Sequence, residues 1–162
     1  MSFSFTPDMT ADSIYNIDFD ELYSRGITAL IIDIDNTLVS HRVKLPDDAA
    51  LSLIQGLLKS GFRLAVISNG KKERVSLFTA ELGIPVISGH MKPKKSGYRL
   101  ALAAMGAKPE QCAAIGDQLF TDVLGANRMG ICSVYTEPIE KYENPFFYIK
   151  RFLEYFILKK KR

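Results

Sequence analysis

Two aspartates spaced two residues apart, Asp33 and Asp35, are the side chains of this 162-residue chain best suited to chemistry. They directly follow the fully apolar run 29–32, which places both carboxylates at the exit of a predicted buried strand. Clustered carboxylates are costly unless a positive group lies between them, and a divalent cation or a phosphoryl group held by one meets that need. The stretch from Asp33 to Thr37 also has the form of an aspartyl-phosphate nucleophile, so phosphoryl transfer is the chemistry it favours.

Three further polar groups follow apolar runs in the same way. They are Ser68 with Asn69, Lys92 with Pro93, and Gly116-Asp117 with Asp122 five positions later. Because ligands bind outside the carboxyl ends of parallel strands, we expect these groups to converge with Asp33. Each group alone is more typical of a turn, a helix cap or the surface, but together and in this order they form a strong joint signal.

The elements that must position these side chains are predicted by five apolar runs, at 29–32, 63–67, 85–87, 112–115 and 131–135. Their continuous apolarity favours parallel strands that are covered on both faces. Helical patterns lie between the runs, and the first opens at Pro46-Asp47 and ends at Gly61. This alternation predicts an α/β fold with a parallel five-stranded sheet and right-handed crossovers.

Two later helices are predicted with less regular patterns. Ser96 is the expected cap of one, which closes near Gly106, and its expected inward side chains are Leu100, Ala103 and Ala104. The other is expected to follow Thr121 and to stop near Gly130.

The composition is that of one globular domain, with 47% hydrophobic and 24% charged residues. A net charge of +3 is too small to indicate a nucleic-acid partner. Cys112 and Cys132 lie in or beside apolar runs, so we expect small core side chains and a reducing, cytoplasmic environment rather than a disulfide framework. We also expect no secretory signal and no membrane-spanning segment.

The motifs together resemble those of the haloacid dehalogenase-like (HAD) phosphatase superfamily over residues 33–122. A wider match, which includes 12–15 and 116–128, is similar to the YqeG branch of type IIIA, itself similar to phosphatidylglycerophosphate phosphatases. The resemblance implies a HAD-like Rossmannoid three-layer α/β/α sandwich that is capless or has a minimal cap. One departure is Gly89-His90-Met91 before Lys92, where small residues are commoner.

The resemblance implies a phosphoric monoester hydrolase with three catalytic side chains. Asp33 would be the nucleophile that forms an aspartyl-phosphate. Asp35 would protonate the leaving oxygen and then activate water, and Lys92 would neutralise the transferring group and hold Asp33 ionised.

The same resemblance implies a phosphate-binding set and a metal site. The phosphate-binding residues would be Asn36, Thr37, Ser68, Asn69 and Lys92. The cofactor would be Mg²⁺, held by a carboxylate oxygen of Asp33, the backbone carbonyl of Asp35, and Asp117. Asp122 would be an additional ligand or would orient a bound water.

The spacing of the motifs leaves little room for an inserted cap domain. Only 32 residues separate Asp35 from Ser68, and 22 separate Asn69 from Lys92. Since helical crossovers occupy most of both gaps, water exclusion would depend on the substrate or on a partner surface. We therefore expect a large or surface-bound substrate, such as a lipid headgroup, a protein or a polymer, and the family resemblance implies phosphatidylglycerophosphate as the best single candidate.

We expect residues 1–143 to form the phosphatase domain, with 1–28 as an extension packed on the core. Residues 144–162 are predicted to form a basic amphipathic helix that begins at Pro145. Docking of 145–162 on the core or on a second subunit is favoured, and peripheral attachment to an anionic membrane surface is the alternative. The oligomeric state stays open.

Several charged side chains have weaker signals. Lys71, Lys72 and Arg74 follow the second motif, where a solvated helix face is expected and contact with a polyanionic headgroup is the alternative. His41 and His90 have no partner at metal-ligand spacing, so loop or surface roles are expected.

Other functions compete with phosphomonoester hydrolysis. A phospho-acceptor signalling domain uses an acceptor Asp on a similar sheet, but it has no need for a second carboxylate at the position of Asp35. A scaffold without turnover would not need intact motifs. Mutase chemistry usually requires a cap, and dehalogenase chemistry does not use the second Asp, so both rank below hydrolysis. A protein or a small metabolite as the phosphorylated substrate also stays open.

Overall fold

The computed structural model of the chain describes residues 4–140 and residue 157. The strands are β1 (Met9–Ala11), β2 (Ala29–Ile32), β3 (Arg63–Ser68), β4 (Val86–Ser88), β5 (Cys112–Gly116) and β6 (Cys132–Thr136). They form one parallel sheet in the order β1-β6-β5-β2-β3-β4.

Five α-helices connect these strands. They are α1 (Phe19–Ser24), α2 (Asp48–Lys59), α3 (Lys72–Thr79), α4 (Lys95–Met105) and α5 (Leu124–Met129). A π-helical turn, Leu119–Val123, leads directly into α5. Short 3₁₀ segments lie at Ile14–Asn16 and Pro109–Gln111.

Alternate residues of the central strands face opposite layers of helices, as the two-residue period of a strand requires. Leu30 and Ile32 of β2 pack with residues of α1, α2 and α3 in one core. Ala29 and Ile31 pack with residues of α4 and α5 in the other. The predicted three-layer α/β/α sandwich is therefore confirmed.

The sheet has six strands, so the predicted count of five was wrong. The additional strand, β1, pairs with β6 in register Met9 with Val134. Its three residues alternate between half-buried and exposed, so no apolar run indicates it. Tertiary contacts hold it instead, because Ser133 donates hydrogen bonds from its backbone nitrogen and its hydroxyl to Oδ2 of Asp8, at 2.7 and 2.9 Å.

The N-terminal residues beyond β1 pack on the core, as the sequence predicts. Ile14 and Leu22 are fully buried there, and Ile17 and Phe19 pack beside them half-buried. The division of the chain at residue 143 stays a prediction, because 141–156 and 158–162 lie outside the described residues. Ile157 alone of the predicted C-terminal helix is described, and it is half-buried.

The predicted start and end of α2 are confirmed. Oδ1 of Asp47 caps the helix by accepting a hydrogen bond from the backbone nitrogen of Ala50 at 2.8 Å. Gly61 follows the helix with a positive φ of 89°, a conformation that glycine adopts without strain.

The predicted cap and inward face of α4 were wrong. The helix begins at Lys95, so Ser96 lies inside its first turn, where Oγ lies 3.3 Å from the His90 ring. The predicted inward residues Leu100, Ala103 and Ala104 are exposed. The buried face consists of Gly97, Tyr98, Ala101, Leu102 and Met105. Tyr98 can be buried in this face because its hydroxyl has the backbone carbonyls of Thr121 and Asp122 as hydrogen-bond acceptors.

Both cysteines are free thiols. Cys112 is buried in the sheet, and burial raises the pKa of its thiol to about 12, so it stays neutral and unreactive. Cys132 is half-buried and packs against the core. Within the described residues, no helix has the length and apolarity needed to cross a membrane.

Candidate active site

The ends of four neighbouring strands bring the predicted site residues together. Asp33 follows β2, Ser68 ends β3, Lys92 follows β4, and Asp117 follows β5. The backbone nitrogen of Asp33 donates to the carbonyl of Ile115 at 3.0 Å, which continues the β2–β5 ladder by one residue to Asp33. The predicted convergence at the carboxyl edge of the sheet is therefore observed.

Lys92 links two of the carboxylates. Its Nζ lies 2.6 Å from Oδ1 of Asp33 and 2.6 Å from Oδ1 of Asp122, and all three side chains are buried. Burial alone would lower the pKa of the Lys92 ammonium, but the carboxylates of Asp122 and Asp33 outweigh it and raise that pKa. Lys92 therefore stays charged at this site.

Three buried carboxylates form a group that fits a divalent cation. Asp33, Asp117 and Asp122 each offer an oxygen, and these atoms lie within 4.8 Å of one another. Burial raises the pKa of Asp33 well above its usual value, Lys92 opposes this rise, and Asp122 and Asp117 add to it. Because one ammonium cannot balance three carboxylates, a hard cation with oxygen ligands, such as Mg²⁺, suits this donor set.

Asp122 reaches this group because of the π-helical turn and a glycine opposite it. Its backbone nitrogen donates to the carbonyl of Gln118 at 2.9 Å, and Oγ1 of Thr121 donates to its Oδ2 at 3.1 Å. A methyl group on Gly116 would overlap the carboxylate of Asp122, so only glycine fits there. The hydroxyl of Tyr98 in α4 donates to the Asp122 carbonyl at 3.1 Å, which holds the π-helical turn in place.

Asp35 lines the site beside the start of α3, on the wall to which Gly70 and Arg74 also belong. Its Oδ1 lies 2.7 Å from Nη1 of Arg74, in the first turn of α3. Nη2 of Arg74 donates to the carbonyl of Val43 at 2.8 Å, which connects α3 to the loop that follows β2. Sequence reasoning missed this role for Arg74, since a basic residue early in a helix is usually solvated.

Ser68 and Asn69 organise the loops that follow β3 and β4. Oγ of Ser68 is buried and accepts a hydrogen bond from the backbone nitrogen of Gly70 at 3.0 Å. Oδ1 of Asn69 accepts from the backbone nitrogen of Lys92 at 2.7 Å. Asn69 therefore positions the loop that carries Lys92, and direct contact of either side chain with phosphate stays a prediction.

Asn36 and Thr37 are both buried beneath the site. Asn36 has a φ of 63°, and its Nδ2 donates to the carbonyl of Glu140 at 3.0 Å. Its backbone nitrogen donates to the carbonyl of Val39 at 2.7 Å, so this residue closes the turn after Asp35. The predicted phosphate-binding roles of Asn36 and Thr37 stay predictions.

A cavity of about 380 Å³ opens above these side chains. Its lining residues are Asp33, Asp35, His41, Asn69, Gly70, Lys71, Arg74, Lys92, Gln118 and Thr121. Lys71 and His41, which had only weak signals in the sequence, thus line the same cavity as Asp33. Within the described part of the chain, α2 alone occupies the stretch before β3 and α3 the stretch before β4, with no inserted domain.

Comparisons with known proteins agree with this site. The family model of haloacid dehalogenase-like hydrolases matches residues 39–130. A probable phosphatase, YqeG of Bacillus subtilis, is 35% identical over 135 residues, which cover 83% of this chain and 78% of that protein. Phosphatidylglycerophosphate phosphatase 1 of Arabidopsis thaliana is 26% identical over 149 residues, covering 86% of this chain but 43% of that protein.

A solved structure shows the same fold. The cobalt-bound deoxy-D-mannose-octulosonate 8-phosphate phosphatase of Haemophilus influenzae matches with a TM-score of 0.56 at 19% identity, covering 69% of each chain. Taken with the sequence matches, the chain belongs to the haloacid dehalogenase-like hydrolase family. Within that family it is a phosphatase, an enzyme that hydrolyses phosphomonoesters.

Proposed function

We propose that this protein is a Mg²⁺-dependent phosphatase that acts through an aspartyl-phosphate on Asp33. The observation that carries the proposal is that two carboxylates with different cationic partners line one cavity. Asp33 lies in a buried group with Lys92 and two further carboxylates, whereas Asp35 is paired with Arg74. A nucleophile and an acid–base group that line the same cavity can act on the two ends of the bond that breaks.

In the first step, an Asp33 carboxylate oxygen attacks phosphorus while the bond from phosphorus to the ester oxygen breaks. Asp35 in its protonated form gives its proton to the departing oxygen, which leaves as an alcohol. Lys92, 2.6 Å from Oδ1 of Asp33, offsets the negative charge that gathers on the transferring group. The product of this step is a phosphoryl group bound to Asp33.

In the second step, Asp35 takes a proton from water as the water oxygen attacks phosphorus. The bond to Asp33 breaks, which releases inorganic phosphate and restores both carboxyl groups. Asp33, Asp117, Asp122 and the backbone carbonyl of Asp35 would hold Mg²⁺, which when bound would screen the repulsion between Asp33 and the anionic phosphate.

A large or surface-bound phosphomonoester is the proposed substrate, with phosphatidylglycerophosphate as the leading candidate. The wide opening of the cavity in the described residues supports a substrate that itself covers the site. The similarity to the Arabidopsis phosphatidylglycerophosphate phosphatase supports the lipid. Docking of 145–162 stays the favoured prediction, supported by the packing of Ile157 against Leu119, Val123 and Tyr135, and attachment to a membrane surface stays the alternative.

The test is phosphate release with Mg²⁺ from phosphatidylglycerophosphate in mixed micelles, beside small phosphate esters. Wild type is compared with Asp33→Asn and Asp35→Asn, and Asp48→Asn, at an exposed position in the first turn of α2, is the matched control. We expect lipid turnover in wild type and in the control, with losses of at least about 10²-fold in both site variants. Turnover of small esters alone would refute the lipid assignment, and a stable aspartyl-phosphate without turnover would indicate a signalling domain instead.

A further inference from the structure

Three cationic side chains line the active-site cavity, and two of them, Lys71 and Arg74, lie on the wall that carries Asp35. Arg74 is committed to the Asp35 carboxylate at 2.7 Å and to the Val43 carbonyl at 2.8 Å. Lys92, at the base, is shared by Asp33 and Asp122. Lys71 is exposed and lines the same cavity, and among residues 4–140 no acidic side chain forms an ion pair with it.

The position of Lys71 relates it to one end of the substrate. The residue before it, Gly70, runs so close to Asp35 that an added Cβ would lie 3.2 Å from Oδ2 of that carboxylate. Lys71 therefore lies next to Asp35 along the cavity, whereas Asp33, the proposed nucleophile, and Lys92 are buried at its base. In the proposed reaction Asp35 delivers its proton to the leaving oxygen, so its wall faces the leaving group.

We propose that Lys71 forms a subsite for an anionic group carried by the leaving alcohol. The substrate class would be phosphomonoesters whose alcohol bears a second phosphate, most simply as a phosphodiester a few bonds away. This inference rests on the proposed function and deepens it, because it assigns Lys71 to a part of the substrate other than the phosphate that is transferred. Lysine suits the task as a point charge on a long, flexible stem.

The test uses two soluble substrates that share the glycerol phosphomonoester, glycerophosphoglycerophosphate and glycerol 3-phosphate, of which only the first also carries a phosphodiester with a second glycerol. We expect Lys71→Met to lower kcat/KM for the first by about tenfold, chiefly through KM, because one charge-assisted contact is lost. Glycerol 3-phosphate should be unaffected, and Lys71→Arg should restore the preference. Lys72→Met is the matched control, since Lys72 is exposed next door but does not line the cavity.

Equal losses on both soluble substrates, or an equal effect of Lys72→Met, would overturn the subsite. Phosphatidylglycerophosphate in micelles separates the headgroup from the lipid surface, and a loss confined to the micellar substrate would also overturn it. A wild type that releases no phosphate from any ester would refute the proposed function instead. Calorimetric binding of glycerophosphoglycerophosphate to wild type and Lys71→Met then still decides whether Lys71 binds the second anion.

Discussion

At the scale of single residues, the site depends on how four carboxylates share two buried or half-buried cations. Lys92 contacts the carboxylates of Asp33 and Asp122, while Arg74 contacts the carboxylate of Asp35. Asp33 and Asp35 therefore have different cationic partners. The remaining negative charge lies among Asp33, Asp117 and Asp122, where a divalent cation fits.

Replacing Arg74 tests whether the position of Asp35 matters to turnover. We expect Arg74→Met to lower kcat by about 10²-fold, because small misplacements of a reacting group are costly and Asp35 would lose its fixed partner. KM for a small ester should change much less, since Arg74 is not placed against the transferred phosphate. Steady-state kinetics with a soluble phosphate ester measure this split.

The control for that experiment is Arg42→Met, which removes an exposed arginine whose partner is Glu140. Its kcat should match wild type. An unchanged kcat in Arg74→Met would show that Asp35 needs no such partner.

The predictable part of the site follows from one geometric rule. Asp33, Ser68, Lys92 and Asp117 could be predicted because each lies at or shortly after the end of a parallel strand, and ligands bind where such ends meet. Arg74 could not, because a charged residue in the first turn of a helix has the same local pattern whether it faces solvent or a carboxylate. The path of the loop after β2, which brings Asp35 and Val43 against Arg74, decides whether this side chain faces solvent or a carboxylate.

At the scale of elements, α4 and the π-helical turn before α5 support the site together. Tyr98 of α4 is buried against Gly125 and donates to the Asp122 carbonyl. The sequence predicts a helix only after Thr121, because the wider turn from Leu119 depends on the fit of Asp122 against β5. Strand β1 is likewise unmarked in the sequence, since its three residues gain their pairing only from β6.

Replacing a helical glycine by alanine tests whether close packing at that position outweighs the gain in helix propensity. We expect Gly125→Ala to destabilise the fold by roughly 1–3 kcal/mol, because the added Cβ would overlap the Tyr98 ring and force it to move. Chemical denaturation measures the free energy of unfolding.

Gly56→Ala in α2 is the matched control, since an added Cβ there meets nothing within 4 Å. It should stabilise the fold by about 0.5–1 kcal/mol through helix propensity alone. Equal effects of the two substitutions would contradict the packing role of Gly125.

At the scale of the whole molecule, the buried acidic group connects stability to cation binding. Asp33 directly follows β2, Asp117 directly follows β5 and Asp122 lies in the π-helical turn, so a cation bound among them holds three parts of the fold together. The unfolded chain offers no such site, and a ligand that binds only the folded state stabilises it.

We therefore expect Mg²⁺ to raise the Tm. At about 100 times the dissociation constant the gain is about 2.7 kcal/mol, which corresponds to roughly 5–10 °C for a chain of this size. Differential scanning calorimetry measures it, with NaCl at matched ionic strength as the control. The rise should disappear in Asp117→Asn, and an equal rise in that variant would place the cation elsewhere.

The central claim is that Asp33 carries the phosphoryl group and that Asp35 promotes its release. The most direct measurement is mass spectrometry of acid-quenched enzyme after reaction with substrate and Mg²⁺, followed by peptide mapping. Asp35→Asn should accumulate a phosphoryl group on the peptide that contains Asp33, because activation of water is slowed after transfer. Phosphate release by wild type, with no phosphoryl group on Asp33 in either protein or with one on another residue, would contradict the account.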